Sequence, residues 1–287
     1  MLDLDTSENI HMKNWFGRFG NNIIELTTGI YISKRNCSIF THEPHEYISS
    51  TEYNFTSQSL NIQSKFQTYR SKVFYKIESI PFSERCFICK NYIAPRINWI
   101  ETPQNVIENQ LVIHIRSGDV FQNVSYIKMY PQPPFSFYEK IIDENDYENI
   151  LVVTEKDRKN PVIQALQTKY SHRLKVTSND FKTDANLIIN AENLVTSIGT
   201  FSLSLAMFNS KLKHLYVPFS HISPPRLKFG IDDKLPFTIH TYIINNFIDV
   251  GDWVPNTQNL SLLLNHDISN IMSLDVSSNK LDFQNNQ

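Results

Sequence analysis

Glycine is scarce in this chain. There are 7 in 287 residues, where average usage would give roughly twenty, so a collagenous or Gly-rich linker architecture is excluded. Four of the seven (Gly17, Gly20, Gly118 and Gly199) fall inside three short motifs. The three cysteines, Cys37, Cys86 and Cys89, cannot staple a chain this long. Cys86 and Cys89 form a lone C-x-x-C with no second pair or spaced histidines for zinc, and read as two ordinary thiols on one turn. No run of eighteen apolar residues exists, so no membrane span is expected. The opening MLDLDTSENIHM has neither the basic flank nor the apolar stretch of a signal peptide, so a cytoplasmic location is expected. Basic excess is also lacking: 27 Lys and Arg stand against 29 Asp and Glu, a net charge of −2. Nucleic acid held by charge is therefore not an expected partner. What remains is an ordinary globular composition, 41% hydrophobic and 20% charged, which excludes disorder and coiled coil.

The patterning is that of an α/β protein. Residues 10–15 read as a strand, followed by a glycine-bearing turn and a helix from about Asn22, with Ile23, Leu26 and Ile30 at helical spacing. Residues 33–110 are poorly patterned. The polar, Pro-containing stretch 101–110 reads as an inter-domain connection. Beyond it, strands are predicted over 111–115, 150–154, 174–176, 194–197 and 214–218. Helices are predicted over 137–143, from Pro161 (with Pro at the first helical position), from a cap at Thr183, and over 201–208. Strands alternating with helices of this length imply βαβ units and a parallel sheet. The division expected is an N-terminal α/β domain over 1–105, a Rossmann-like domain over 106–250 and a C-terminal extension over 251–287, with a frayed tail after about Ser273.

Three segments could carry chemistry. His114-Ile-Arg116-Ser-Gly118-Asp119 leaves the C-terminal end of a predicted parallel strand, where ligands bind in open α/β sheets. Arg116 offers a planar fork for phosphate oxygens; the plainer alternative is an Arg–Asp pair stapling a loop, with His114 a satisfied core histidine. Gly17-Arg-Phe-Gly20-Asn21 forms a strand-to-helix turn whose amides could meet an anion, or a plain turn and helix start. In Ser197-Ile-Gly199-Thr200-Phe201-Ser202 another strand ends in glycine, with hydroxyls at the mouth of the next helix suited to a diphosphate. Thr200 could equally be only an N-cap. Upstream, Asp184 could accept hydrogen bonds from a base edge. Asp3-Leu-Asp5 is a D-x-D string of the kind that can hold a divalent ion but lies at the terminus, and no metal site is expected.

In order and spacing these segments resemble the fucosyltransferase superfamily that includes α-1,2-, α-1,6- and protein O-fucosyltransferases. Gly17-Arg-Phe-Gly-Asn21 is similar to its G-R-F/L-G-N signature, and His114-Ile-Arg-Ser-Gly-Asp119 to its H-x-R-x-G-D hallmark. Pro133-Pro-Phe-Ser-Phe-Tyr138 is similar to its P-P-x-S-F/Y-Y segment. Asn190-Ala-Glu-Asn-Leu194 with Thr200-Phe-Ser202 is similar to its last donor-binding block. The likeness covers about residues 10–35 and 110–218. Asn22 stands where the family commonly has Gln, and the chain is short for two full Rossmann domains. The resemblance implies a GT-B-like fold of two Rossmann-type halves with parallel sheets, the N-terminal one reduced. It implies a metal-independent, inverting glycosyltransferase with no cofactor, moving fucose from GDP-fucose to a glycan acceptor. Another donor such as UDP-xylose, or an inactive glycan-binding module, are the alternatives. Arg116 is expected to neutralise the departing diphosphate, with Asp119, or else Glu25, as the motif acid available for a base. Gly20, Asn21, His114, Asp184, Thr200, Phe201 and Ser202 are expected to line the donor.

Overall fold

A computed structural model describes residues 9–56, 66–70, 80–101, 107–122, 125–219 and 234–274. The predicted frayed tail lies outside them. Within them the protein is α/β and built on two sheets in which parallel pairing dominates.

The smaller sheet holds β1 (Asn9–Lys13), β2 (Ile39–His42), β3 (Glu52–Asn54) and β4 (Phe66–Arg70) in the order β3-β2-β1-β4. β1 pairs in parallel with β2 and β4, and only β3 runs antiparallel. Between β1 and β2 lies α1 (Phe19–Arg35), three residues longer at its start than the periodicity placed it. This helix is buried on almost every side from Phe19 to Ile30. Its Thr27 and Thr28 hydroxyls tolerate burial because each donates to the carbonyl one turn back, at 2.7 and 2.9 Å. A short helix α2 (Phe82–Ile88) continues into one π turn. It buries Cys86 and Cys89, with the Cys89 sulfur 3.5 Å from the Thr27 hydroxyl.

The larger sheet runs β11-β10-β9-β8-β5-β6-β7. Its members are β5 (Gln110–Ile115), β6 (Asn149–Thr154), β7 (Leu174–Thr177), β8 (Asn193–Val195), β9 (His214–Phe219), β10 (Thr238–Ile244) and β11 (Ile271–Leu274). All pairs are parallel except β10–β11. From β7 to β10 this is the doubly wound order 3-2-1-4-5-6, with the direction of winding reversing between β5 and β8. Residues expected as a C-terminal extension supply α7 (Thr257–Asn265) and the edge strand β11.

Helices α3 (Phe135–Asp143) and α4 (Pro161–Lys169) cover one face of the large sheet, and α5 (Phe181–Ile189) and α6 (Phe201–Ala206) the other. The Asn160 side chain caps α4 from the Val162 N–H, as Pro at the first position favours. The cap of α5 is Asp180, not Thr183: its carboxylate accepts from the Lys182 and Thr183 amides, so the helix starts three residues before the predicted point. Side chains alternate along β5. Leu111, Ile113 and Ile115 enter one core, while Val112 enters the other. That second core is continuous with Ile23, Leu26 and Ile30 of α1, so one apolar cluster runs through both halves of the chain. Among the described residues no helix is long and apolar enough to cross a membrane.

Candidate active site

The turns that follow β1 and β5, each the inner strand at which its sheet reverses its winding, open onto one cavity of about 770 Å³. Its walls come from both halves: the 17–22 turn and 45–47 on one side, and the ends of β5, β6, β7 and β8 on the other.

Gly17 at φ 78° makes the turn after β1 possible, and a Cβ there would stand 2.0 Å from the Asn21 amide. Gly20 is required for a different reason. Its missing side chain lets the start of α1 meet the start of α6, where a Cβ would lie 2.7 Å from the Thr200 carbonyl carbon and 2.8 Å from the Phe201 nitrogen. Two side-chain contacts join the halves beside this approach. The Thr200 hydroxyl donates to Asn21 Oδ1 at 2.8 Å, and Arg18 Nη2 donates to both carboxylate oxygens of Asp119 at 3.2 and 3.1 Å. Thr200 makes no capping bond to α6, so its hydroxyl serves the junction between halves and not the helix start.

Arg116 enters from the end of β5 with its side chain 12% exposed. Nη2 donates to both oxygens of Asp119, each at 3.2 Å, and the guanidinium lies 4.6 Å over the Tyr130 ring. Its Nε is buried with no hydrogen-bond partner among the described residues, a donor that an incoming anion would satisfy. The Arg–Asp staple read as the plainer alternative therefore exists, but it is a triad: one carboxylate between two guanidiniums, which leaves the triad itself with a net positive charge. Exposed Lys156 adds to it. Asp119, expected as a base, has both oxygens engaged by arginine and is poorly placed to collect a proton.

The loop behind Arg116 is held by residues that follow β6. Asp157 accepts from the Ser117 hydroxyl and the Gly118 amide at 2.8 and 3.0 Å, Glu155 accepts from the Ser117 amide at 2.7 Å, and Asn160 donates to the Arg116 carbonyl at 3.1 Å. The Ser117 and Gly118 amides are thus already occupied and turn away from a ligand. Burial raises the Glu155 carboxyl above its usual range, against the pull of its amide bonds and of Arg116 and Arg18. His114 is buried, 2.9 Å from the Ser197 hydroxyl and 5.3 Å from the Phe201 ring. Burial first, then the Arg116 and Arg18 charges, lower it to about 3. It is neutral at physiological pH and can supply a hydrogen bond but no charge.

The remaining expected residues separate. Asp184 reaches the cavity, but its oxygens accept from the Asn179 backbone and side chain at 2.9 to 3.2 Å. Phe201 lines the wall, whereas Ser202 is 1% exposed beneath it and off the cavity surface. Glu25 is buried within α1 under the Phe16 amide and does not line the cavity. Several contributors were given no role by the sequence, although Arg18 and Phe19 lie within the Gly17–Asn21 motif. Arg18 is an exposed residue whose partner is 101 positions away. Tyr47 stacks on Phe181 at 4.5 Å and 28°, with Phe19 and Trp99 edge-on around them. This aromatic floor joins Tyr47 and Trp99, from the stretch where no pattern could be read, to α1 and α5.

No family model matches the chain, and no curated protein matches it. Among solved structures it is similar to a crystal structure of POFUT1 in complex with GDP, at 11% identity and a TM-score of 0.38 over 74% of this chain and 98% of that one. It is also similar to POFUT1 in complex with GDP-fucose, at 9% identity and a TM-score of 0.36 over 73% of this chain and 94% of the other.

Proposed function

We propose that this protein is a metal-independent, inverting glycosyltransferase that moves a sugar, fucose from GDP-fucose, to a glycan acceptor. The observation that carries the reading is the convergence of three separate motifs on one cleft, with the Arg116 guanidinium and its unpartnered Nε at the strand-order reversal. Transfer of a sugar from a nucleotide diphosphate places growing negative charge on the leaving oxygen. A guanidinium fixed by Asp119 and Tyr130 is already oriented for that charge, and preorganised donors of this kind are worth several kcal/mol. The resemblance of the motifs to those of fucosyltransferases supports the donor. We assign Arg116 to the leaving group, and Asp119 to positioning, since it holds Arg116 and Arg18 together. His114, Asn21, Gly20, Asp184, Thr200 and Phe201 form the donor side, with Ser202 as packing beneath it. The N-terminal half supplies the acceptor side.

Titration calorimetry with GDP, UDP, GDP-fucose and UDP-xylose tests the reading. GDP and GDP-fucose are expected to bind, and GDP is expected to be released from GDP-fucose on turnover. Preference for UDP would move the donor to the UDP-sugars. Binding of glycans with no nucleotide affinity would mark a glycan-binding module instead.

A further inference from the structure

We propose that Glu46 takes the proton of the attacking acceptor hydroxyl, an assignment that rests on the glycosyltransferase reading of the cleft. Carboxylates from both halves line the cavity, and three of them are engaged elsewhere. Both oxygens of Asp119 accept from Arg18 and Arg116. Both oxygens of Asp184 accept from Asn179. Glu155 is bound to the Ser117 amide and lies behind Gly118, on the same loop system as Arg116. Inverting displacement brings the nucleophile in from the side of the anomeric carbon opposite the leaving phosphate. The base therefore belongs on the wall facing Arg116, and Glu46 is the cavity carboxylate that the N-terminal half supplies.

Its presentation is rigid. Glu46 is exposed at the tip of a tight turn closed by the His45–Ile48 bridge. The Tyr47 amide donates to His45 Nδ1 at 3.1 Å, so the proton of a neutral His45 lies on Nε2, which donates to Asn22 Oδ1 at 3.2 Å. That bond ties the turn to α1. The next residue, Tyr47, stacks its ring on Phe181 of the other half at 4.5 Å. In the step itself, the acceptor oxygen forms a bond to the anomeric carbon. The bond from that carbon to the phosphate oxygen breaks, and its electron pair leaves with GDP against Arg116. The hydroxyl proton passes to Glu46 and from there to solvent.

The test uses GDP-fucose with water, and then with azide, as the nucleophile. Azide carries no proton and needs no base. Glu46→Ala is expected to lower GDP release into water about 10²-fold or more, to leave the GDP Kd within about twofold, and to recover turnover in azide with fucosyl azide as product. Glu46→Gln, which keeps the side-chain shape, is expected to show the same loss. Water turnover within a few-fold of wild type in either variant overturns the assignment. So does failure of azide to restore turnover in a variant that still binds GDP. A wild-type protein that neither binds GDP nor releases it from GDP-fucose overturns the glycosyltransferase reading itself, and this assignment with it.

Discussion

Replacing Arg116 by Ala separates what this side chain does for the fold from what it does in the cleft. For the fold, the change removes a partly shielded pair with Asp119, 12% and 25% exposed, and a contact with the Tyr130 face. The first is worth about 1 kcal/mol and the second about 0.5–1 kcal/mol. Asp119 is not left bare, because Arg18 still donates to both of its oxygens. Arg116→Ala should therefore cost about 2 kcal/mol and lower Tm by roughly 5 °C. For the chemistry, removing one preorganised donor to developing charge costs about 2.7–4 kcal/mol, or about 10²–10³ in rate. Arg116→Lys restores a point charge but neither the fork nor Nε, and should recover only a small part. GDP release from GDP-fucose measures the rate, and calorimetric melting measures the fold. A folded Arg116→Ala protein turning over within a few-fold of wild type would refute the reasoning, since the cleft would then not depend on its best-placed cation.

Gly20→Ala should destabilise by about 1–3 kcal/mol. The Cβ meets backbone of Thr200 and Phe201, which cannot swing aside, and a rise in Tm would show that the two helix starts are not in contact. His42 is lowered to about 4 by burial, outweighing its bond to the Glu43 carbonyl. Between pH 6.5 and 4 the unfolded chain binds a proton there that the native state does not. Native stability should thus fall on acidification through that window, by up to about 1.4 kcal/mol per pH unit for this group. His42→Phe should flatten the loss of Tm between pH 7 and pH 5, and an equal loss in both proteins would contradict this. Turnover should be unaffected by EDTA, because two arginines supply the positive charge at the cleft; loss in chelator with recovery in Mn²⁺ would place the protein in another mechanistic class.

The sequence by itself determined the elements whose neighbours in space are also neighbours in the chain, or whose residues are buried on both faces. The apolar run ending at His114 made β5 legible, and with it the placing of Arg116 at the carboxyl end of a parallel strand. Pro161 after Asn160 marked the start of α4, and the buried face of α1 was visible in its spacing. Residues 33–110 stayed unread because their strands are short and two of them, β3 and β4, sit at the edges of the sheet. β4 alternates between exposed and half-exposed positions and shows Phe66 at 44% exposure, so no buried face stands out in its letters. The start of α5 was misplaced because Asp180 and Thr183 are both capping residues, and only the extended backbone at Asp180 selects between them. Tertiary structure alone decided which groups in the cleft are free. Motif spacing put His114, Arg116 and Asp119 together, but it could not show that Asp119 is held between two guanidiniums, one of them 101 residues away. Nor could it show that burial strips His114 of charge. Charge state and hydrogen-bond availability depend on everything packed around a side chain, and those neighbours come from strands and turns far apart in the chain.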